Sequence, residues 1–277
     1  MSDSKINYKG EGQASRLSEQ HESSGGQLGI FGKNAQNHDF KMGSVTKEIL
    51  GFLKDKYSKY DFRIRNSLNK TEINKTLSKI DSRLGKTIFV ANSRIKPDGG
   101  ILEIRDNKDS WRVLLVGESK HQGNDVEKIS KGVKQGKNKD QDFMAAGNAI
   151  ERVHKNINEF KNFLIAEKYF PYIVFFQGSN FAIESFDIET PSGKLIRLDH
   201  DSGLLNRIDR VTASNYSMEI NKVYCRNIVL NIGNTLKLIQ IPSLFFQCNP
   251  WSFIDMYETM LTLAEESIAI LKEENQI

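Results

Sequence analysis

The stretch YIVFFQG at 172–178 constrains the fold more than any other. Such an apolar run is far too short to cross a membrane. It reads as a strand covered on both faces, as in the middle of a mixed sheet flanked by helices. Upstream, GILEIR (100–105) and WRVLLVGES (111–119) are strand signals joined by DNKDS, a loop suited to an antiparallel hairpin. TIFVAN (87–92), 181–188, 194–198 and roughly 226–240 fit further strands.

Helical periodicity fills the spaces between them. Val45, Ile49, Leu50, Leu53 and Tyr57 share one face, with Ser44 as a cap, and Ile73, Leu77, Ile80 and Leu84 suggest a second, short helix. The longest helix is predicted over 141–167, where Ile150, Val153, Ile157, Phe160 and Leu164 form a stripe. A last helix over 251–273 follows Pro250. The fold class is therefore α/β: a central mixed β-sheet flanked by helices. Residues 1–30, rich in Ser, Gly, Gln and Lys, read as a flexible N-terminal arm, and 31–277 as a single domain.

Composition narrows the function classes. With 38% apolar and 27% charged residues the chain reads as soluble and globular, with no membrane partner. No apolar N-terminal segment suggests a secretory signal, and two cysteines, Cys225 and Cys248, give neither a disulfide framework nor metal spacing. A cytoplasmic location follows as an expectation. The net charge of +4 permits a polyanionic partner without demanding one.

The chemistry concentrates at the hairpin, PDGGILEIRDNKDSWRVLLVGESKH (97–121). Residues two apart on a strand project to one side, so Glu118 and Lys120 leave the sheet together. Asp98 stands just before the partner strand, and the hairpin returns the chain to it. Two carboxylates meeting at a sheet edge suit Mg²⁺, and an ammonium beside them can orient or help deprotonate a water. A similar acid-x-Lys triplet recurs at Asp3, Asp39, Asp106 and Glu159, where a solvated face is the plain reading. At Glu118 itself an edge-strand ion pair is the alternative to a nuclease-type site.

The long helix supplies a second feature. Opposite its apolar stripe lie Met144, Ala145, Asn148, Glu151, Arg152 and Lys155. Asn and Arg can make paired hydrogen bonds to purine edges, a carboxylate can accept from exocyclic amines, and His154 and Lys155 could meet phosphates. The bland reading is an ordinary polar face. The same choice applies to Lys128, Lys131, Lys134, Lys137 and Lys139, and to Arg207 and Arg210, one helical turn apart. His21, His38 and His200 have no partners at ligand spacing and read as ordinary.

RLSEQH, GIFG, KTEIN, SKID, KPDGG, KHQG, DQDFMAAGNAIERVHKN, PYIVFFQGSNF and LNRIDRVTASNY, in that order and spacing, resemble the EcoRI restriction endonuclease family over roughly 16–218. The resemblance implies a restriction-endonuclease-like (PD-(D/E)xK) core. It also implies a homodimer acting on double-stranded DNA at the palindrome GAATTC, cut after the G with Mg²⁺ to leave 5′-phosphate overhangs. Asp98, Glu118 and Lys120 would be the catalytic residues, with the metal on Asp98, Glu118 and the Ser119 carbonyl. Met144, Ala145, Asn148, Glu151 and Arg152 would read bases, with Gln122 and Ala149 adding pyrimidine contacts. Lys96, Lys155, Arg207 and Arg210 would contact the DNA backbone or organise the site, and His121 would couple the two active sites. A bacterial cytoplasm and a companion DNA methyltransferase acting on the same site are implied too. The chain departs from the family pattern at Ser119, where Ala is expected, and at Asn124, where a lysine is expected. A sequence-specific binding protein that does not cut, and a same-fold nuclease with another site preference, are the competing readings.

Overall fold

The computed structural model describes residues 33–87, 93–122, 130–132, 147–198 and 208–277. The chain divides into two compact units, Met1–Asn37 and His38–Ile277. The expected arm lies outside the described residues, as do most of the predicted strand at 87–92, the first residues of the predicted long helix and all of the lysine run but Lys131.

Helix α1 (Lys33–Lys56) does not begin at Ser44. The Ser44 hydroxyl donates instead to the Phe40 carbonyl four residues back, inside the helix. The buried stripe starts with His38 and Met42 and continues through Val45, Ile49 and Leu53, so helical burial is in force before any cap could act. Strands β1 (Phe62–Arg65) and β2 (Leu68–Asn69) follow, then α2 (Lys70–Ile80) and β3 (Arg94–Ile95). Leu84 falls beyond α2 and is exposed. Strands β4 (Ile101–Arg105) and β5 (Trp111–His121) form the expected hairpin. Its loop is knitted by Asp106, which accepts from the Lys108 and Ser110 amides and from Arg112 Nε.

The described part of the long helix is α3 (Gly147–Phe163), ending four residues earlier than its periodicity predicts. Beyond it come β6 (Tyr172–Gln177), a 3₁₀ turn (Ser179–Phe181), β7 (Phe186–Glu189), β8 (Leu195–Leu198) and α4 (Ile208–Ala213). The 226–240 region is a hairpin, β9 (Ile228–Ile232) and β10 (Thr235–Ile239), turning at Gly233 and Asn234, both with positive φ. Strand β11 (Ser243–Gln247) and helix α5 (Phe253–Glu273) complete the chain, the helix capped by Ser252 rather than Pro250. No helix among the described residues is long and apolar enough to cross a membrane.

The central sheet runs β1-β4-β5-β6-β11, antiparallel from β1 to β5 and parallel from β5 to β11. It is mixed, as expected, and β6 is buried along its whole length. One face packs on α1 and α5 through Leu102, Leu115, Ile173 and Phe175. The other packs on α3 through Val116, Tyr172, Val174 and Phe176, which meet Ile150, Val153, Ile157, Phe160 and Leu164. The two helical layers therefore sandwich the strand that carries Glu118 and Lys120.

A register shift between Leu102 and Glu103 leaves Leu114 as an extra residue on β5. Val113 and Val116, three apart, consequently face the α3 layer, whereas Leu114 and Leu115 both belong to the α1–α5 layer. The bulge re-phases the strand. It sends Glu118 and Lys120 toward α3, and Ser119 toward α1.

Candidate active site

Asp98 arrives on the tight turn Pro97–Gly100, closed by the Gly100 amide donating to the Pro97 carbonyl at 3.0 Å. Gly100 takes a φ of 75°, which glycine adopts without steric cost. Gly99 is required by crowding: a Cβ there would lie 2.8 Å from Met42 Cγ and 3.1 Å from the Gly117 carbonyl oxygen. Its amide donates to that same carbonyl at 2.9 Å, drawing the turn against β5.

The turn lodges Asp98 opposite Ser119. The Ser119 amide donates to Asp98 Oδ2 at 3.1 Å, and Lys120 Nζ donates to the same oxygen at 2.7 Å. Lys120 Nζ also reaches Glu118 Oε1 at 2.8 Å and the Ser119 carbonyl at 2.8 Å. One ammonium thus touches both carboxylates and a main-chain oxygen. Burial pulls the Lys120 ammonium down, but the charges of Glu118 and Asp98 outweigh it and hold the group above its ordinary range.

Glu118 is 1% exposed, and a buried carboxylate must find donors. Besides Lys120 it accepts from Asn156 Nδ2 on α3 at 2.9 Å and from the Tyr172 hydroxyl on β6. Tyr172 is fully buried, and that burial, then the nearby Glu118 charge, pushes its phenol well above the ordinary value.

Behind the strand, Ser119 Oγ donates to Asp39 Oδ1 of α1 at 2.7 Å. Partial burial, and next the neighbouring Asp98, raise the Asp39 carboxyl to about 6. Adjacent His38 is buried with Nε2 3.3 Å from the Phe175 carbonyl, and burial lowers its pKa to about 4. Asp39 is exposed, as its local sequence suggests, yet tied to the strand that carries the site, whereas His38 is not the ordinary group its sequence suggests.

The donor set fits a hard divalent cation. No three His, Cys, Asp or Glu side chains converge among the described residues. Two carboxylates and a carbonyl around one positive group match the way Mg²⁺ is held, with waters and substrate oxygens completing the shell. The other acid-x-Lys triplets differ. Asp106 is spent on its own loop and on Arg112, and Glu159 pairs with Lys70 at 3.4 Å.

Of the remaining sequence-selected residues, His121 ends β5 and Gln122 follows it. His121 Nδ1 lies 3.1 Å from Gln177 Nε2, and the Gln122 amide donates to the Gln177 carbonyl at 3.0 Å. Lys96, Glu151, Arg152, Lys155 and Arg210 are exposed, Lys155 with Glu159 at 4.0 Å. Helix α4, bearing Arg210, is tied to α3 where Ser214 Oγ meets His154 Nε2 at 2.7 Å. Asn148 and Ala149 lie within α3, but their side chains fall outside what is described, as do Met144, Ala145 and Arg207 altogether. Asn156, Tyr172 and Asp39 escape sequence reasoning. Tyr172 carried a signal, because a hydroxyl on an otherwise apolar buried strand needs a partner, and Asp39 carried only the acid-x-Lys triplet that reads as a solvated face.

Comparison with known proteins gives consistent matches. The sequence model of a family described as restriction endonuclease EcoRI matches residues 24–277, well past the segments that carry the motif resemblance. The chain is 53% identical to the type II restriction enzyme RsrI of Cereibacter sphaeroides over 97% of both chains. It is 47% identical to the type II restriction enzyme EcoRI of Escherichia coli over 94% of both.

Proposed function

This chain belongs to the EcoRI family of restriction endonucleases, site-specific deoxyribonucleases, and we propose that it cleaves double-stranded DNA at GAATTC, after the G, with Mg²⁺. The observation that carries the chemistry is the convergence of Asp98 and Glu118 on Lys120 at 2.7 and 2.8 Å. The 47% identity to EcoRI and the intact MAAGNAIER stretch support the choice of site.

Asp98, Glu118 and the Ser119 carbonyl would hold the cation. When bound, Mg²⁺ neutralises phosphate charge, activates a water and stabilises the leaving oxygen. Lys120, kept protonated by its two carboxylates, orients the nucleophile and stabilises the charge developing on the phosphate. Buried Glu118 and Tyr172, with half-buried Asn156 beside them, form the floor of the site.

The exposed face of α3 would read the bases: Glu151 and Arg152 point to solvent there, in sequence with Met144, Ala145, Asn148 and Ala149. Gln122 would add a pyrimidine contact and His121 would couple the two centres. Lys96, Lys155, Arg207 and Arg210 would hold the backbone. A palindromic target with one cleavage centre per chain calls for two copies related by a twofold axis. We read 1–30 as an arm and 31–277 as the catalytic and recognition domain, and we infer a bacterial cytoplasm where a companion methyltransferase protects the host's own sites.

The test is digestion of a plasmid carrying one GAATTC, and of a twin lacking it, with Mg²⁺ or EDTA, followed by end sequencing. Cleavage of the first plasmid alone, only with metal, and with 5′ overhangs is the expected result. Cutting elsewhere would discard the reading of α3 and keep the cleavage centre. Retarded migration of the site without cutting would leave a binding protein.

A further inference from the structure

The Glu118 carboxylate accepts from three donors on three elements. Lys120 of β5 and Asn156 of α3 both donate to Oε1, at 2.8 and 2.9 Å, while Tyr172 of β6 donates to Oε2. A carboxylate oxygen offers about two acceptor directions. Those of Oε1 are taken by Asn156 and by the ammonium it shares with Asp98 Oδ2 and the Ser119 carbonyl, so Oε1 faces the point where these groups converge, whereas Oε2 faces the buried Tyr172.

Lys120 and Tyr172 do not by themselves settle that division. The lysine stem is flexible, and its ammonium is shared with Asp98 Oδ2 and the Ser119 carbonyl. A single phenol leaves the carboxylate free to turn about its last torsion, which is broad and soft. Asn156 supplies a fixed donor on the opposite oxygen. Its helix is anchored by Val153, Ile157 and Phe160, all buried, and Phe160 meets the Tyr172 ring edge-on at 5.3 Å. The amide is also the right chemical type. A carboxylate at 156 would repel Glu118, and a second cation would compete with a divalent ion for the same oxygens.

We propose that Asn156 is a positioning residue of the cleavage centre, which fixes the Glu118 carboxylate so that Oε1 stays turned toward Asp98 and the Ser119 carbonyl, where it would meet the metal. The inference rests on Glu118 being a metal ligand, as argued above. Asn156 stands four residues after Arg152 on α3, so the helix face next to the exposed arginine also sets the geometry of the carboxylate. Partners of metal ligands that orient them are typically worth 10- to 100-fold in metal affinity or activity.

The experiment measures metal directly. Mn²⁺ is titrated calorimetrically into the full chain bound to a GAATTC duplex, in a Lys120→Ala background that slows cleavage, with and without Asn156→Ala. The expected result is roughly 10- to 100-fold weaker Mn²⁺ binding, and a matching loss of single-turnover cleavage when Lys120 is intact. Duplex affinity in EDTA should stay as in the parent. Unchanged Mn²⁺ affinity, or a loss of duplex affinity in EDTA that accounts for the whole effect, would overturn the proposal. If Asn156→Ala melts early, Asn156→Leu keeps the volume, removes the donor and decides in the same way. Glu118→Ala is the control that separates the two levels. If it binds Mn²⁺ like its parent, Glu118 is not a ligand, and the metal assignment fails and takes this inference with it.

Discussion

The Ser119 amide donates to Asp98 Oδ2 across the hairpin at 3.1 Å, so a main-chain group of one strand holds the carboxylate that precedes the other. The bond depends on how closely the Pro97–Gly100 turn approaches β5, and Gly99 sets that approach. In Gly99→Ala the new methyl would press on Met42 Cγ at 2.8 Å and on the Gly117 carbonyl at 3.1 Å. Met42 can give; the carbonyl belongs to a central strand and cannot. We expect a loss of about 1–3 kcal/mol in urea unfolding, the usual cost of overpacking. Cleavage should fall further than the loss of folded protein explains, because the shifted turn carries Asp98.

Removing the ammonium separates charge from packing. Lys120→Ala leaves Asp98 and Glu118 facing each other without the group that now lies within 2.8 Å of both. Single-turnover cleavage should drop by at least about 100-fold, the scale of losing one electrostatic stabiliser of a transition state. Duplex binding in EDTA should persist. A variant that cleaves at the parental rate would show that the convergence is a structural ion pair.

Much of this arrangement is legible in the sequence, and the exceptions have physical causes. The β4–β5 hairpin, the fully buried β6 and the α3 stripe follow from strong local patterns, and the i, i+2 rule pairs Glu118 with Lys120. The rule does not say which face of the sheet the pair occupies. Alternation from Val113 would point Ser119 toward α3; the bulge at Leu114 reverses that, and no residue in the stretch announces it. Asp39, Asn156 and Tyr172 are brought to the site by contacts over 80, 38 and 54 residues. Strand β11 eluded the periodicity because SLFFQ is short and adjoins the stronger strand signals of 226–240.

Two neighbouring residues of α1 oppose each other in their response to pH. His38 falls from an ordinary 6.5 to about 4, so the unfolded chain binds the proton more tightly and this group's contribution to stability grows as pH rises from 4 to 6.5. Asp39 rises from 3.8 to about 6, so the folded chain binds the proton more tightly, and its contribution declines as pH rises through the same window. Because Asp39 is exposed and screened by solvent, its slope offsets that of the buried histidine only in part. Asp39→Asn removes one and should leave a steeper rise in stability between pH 4 and 6.5, bounded by about 3 kcal/mol for the buried histidine. Urea melts at half-unit pH steps measure it. Parallel curves for the parent and Asp39→Asn would contradict the assignment.

The exposed face of α3 gives a prediction that spares the fold. Arg152 is exposed, whereas its neighbour Val153 is fully buried, so truncating the arginine removes no core contact. Arg152→Ala should change stability by less than about 0.5 kcal/mol, as surface substitutions usually do. If the guanidinium reads a base edge, the variant should lose about 1–3 kcal/mol of preference for GAATTC over duplexes altered at one base pair. If it meets only phosphate, affinity should fall evenly across all duplexes and the salt dependence should shrink by about one counterion. Fluorescence anisotropy in EDTA over a salt series, on the site and on single-substitution duplexes, distinguishes the two, because only base reading changes the ratio between sequences.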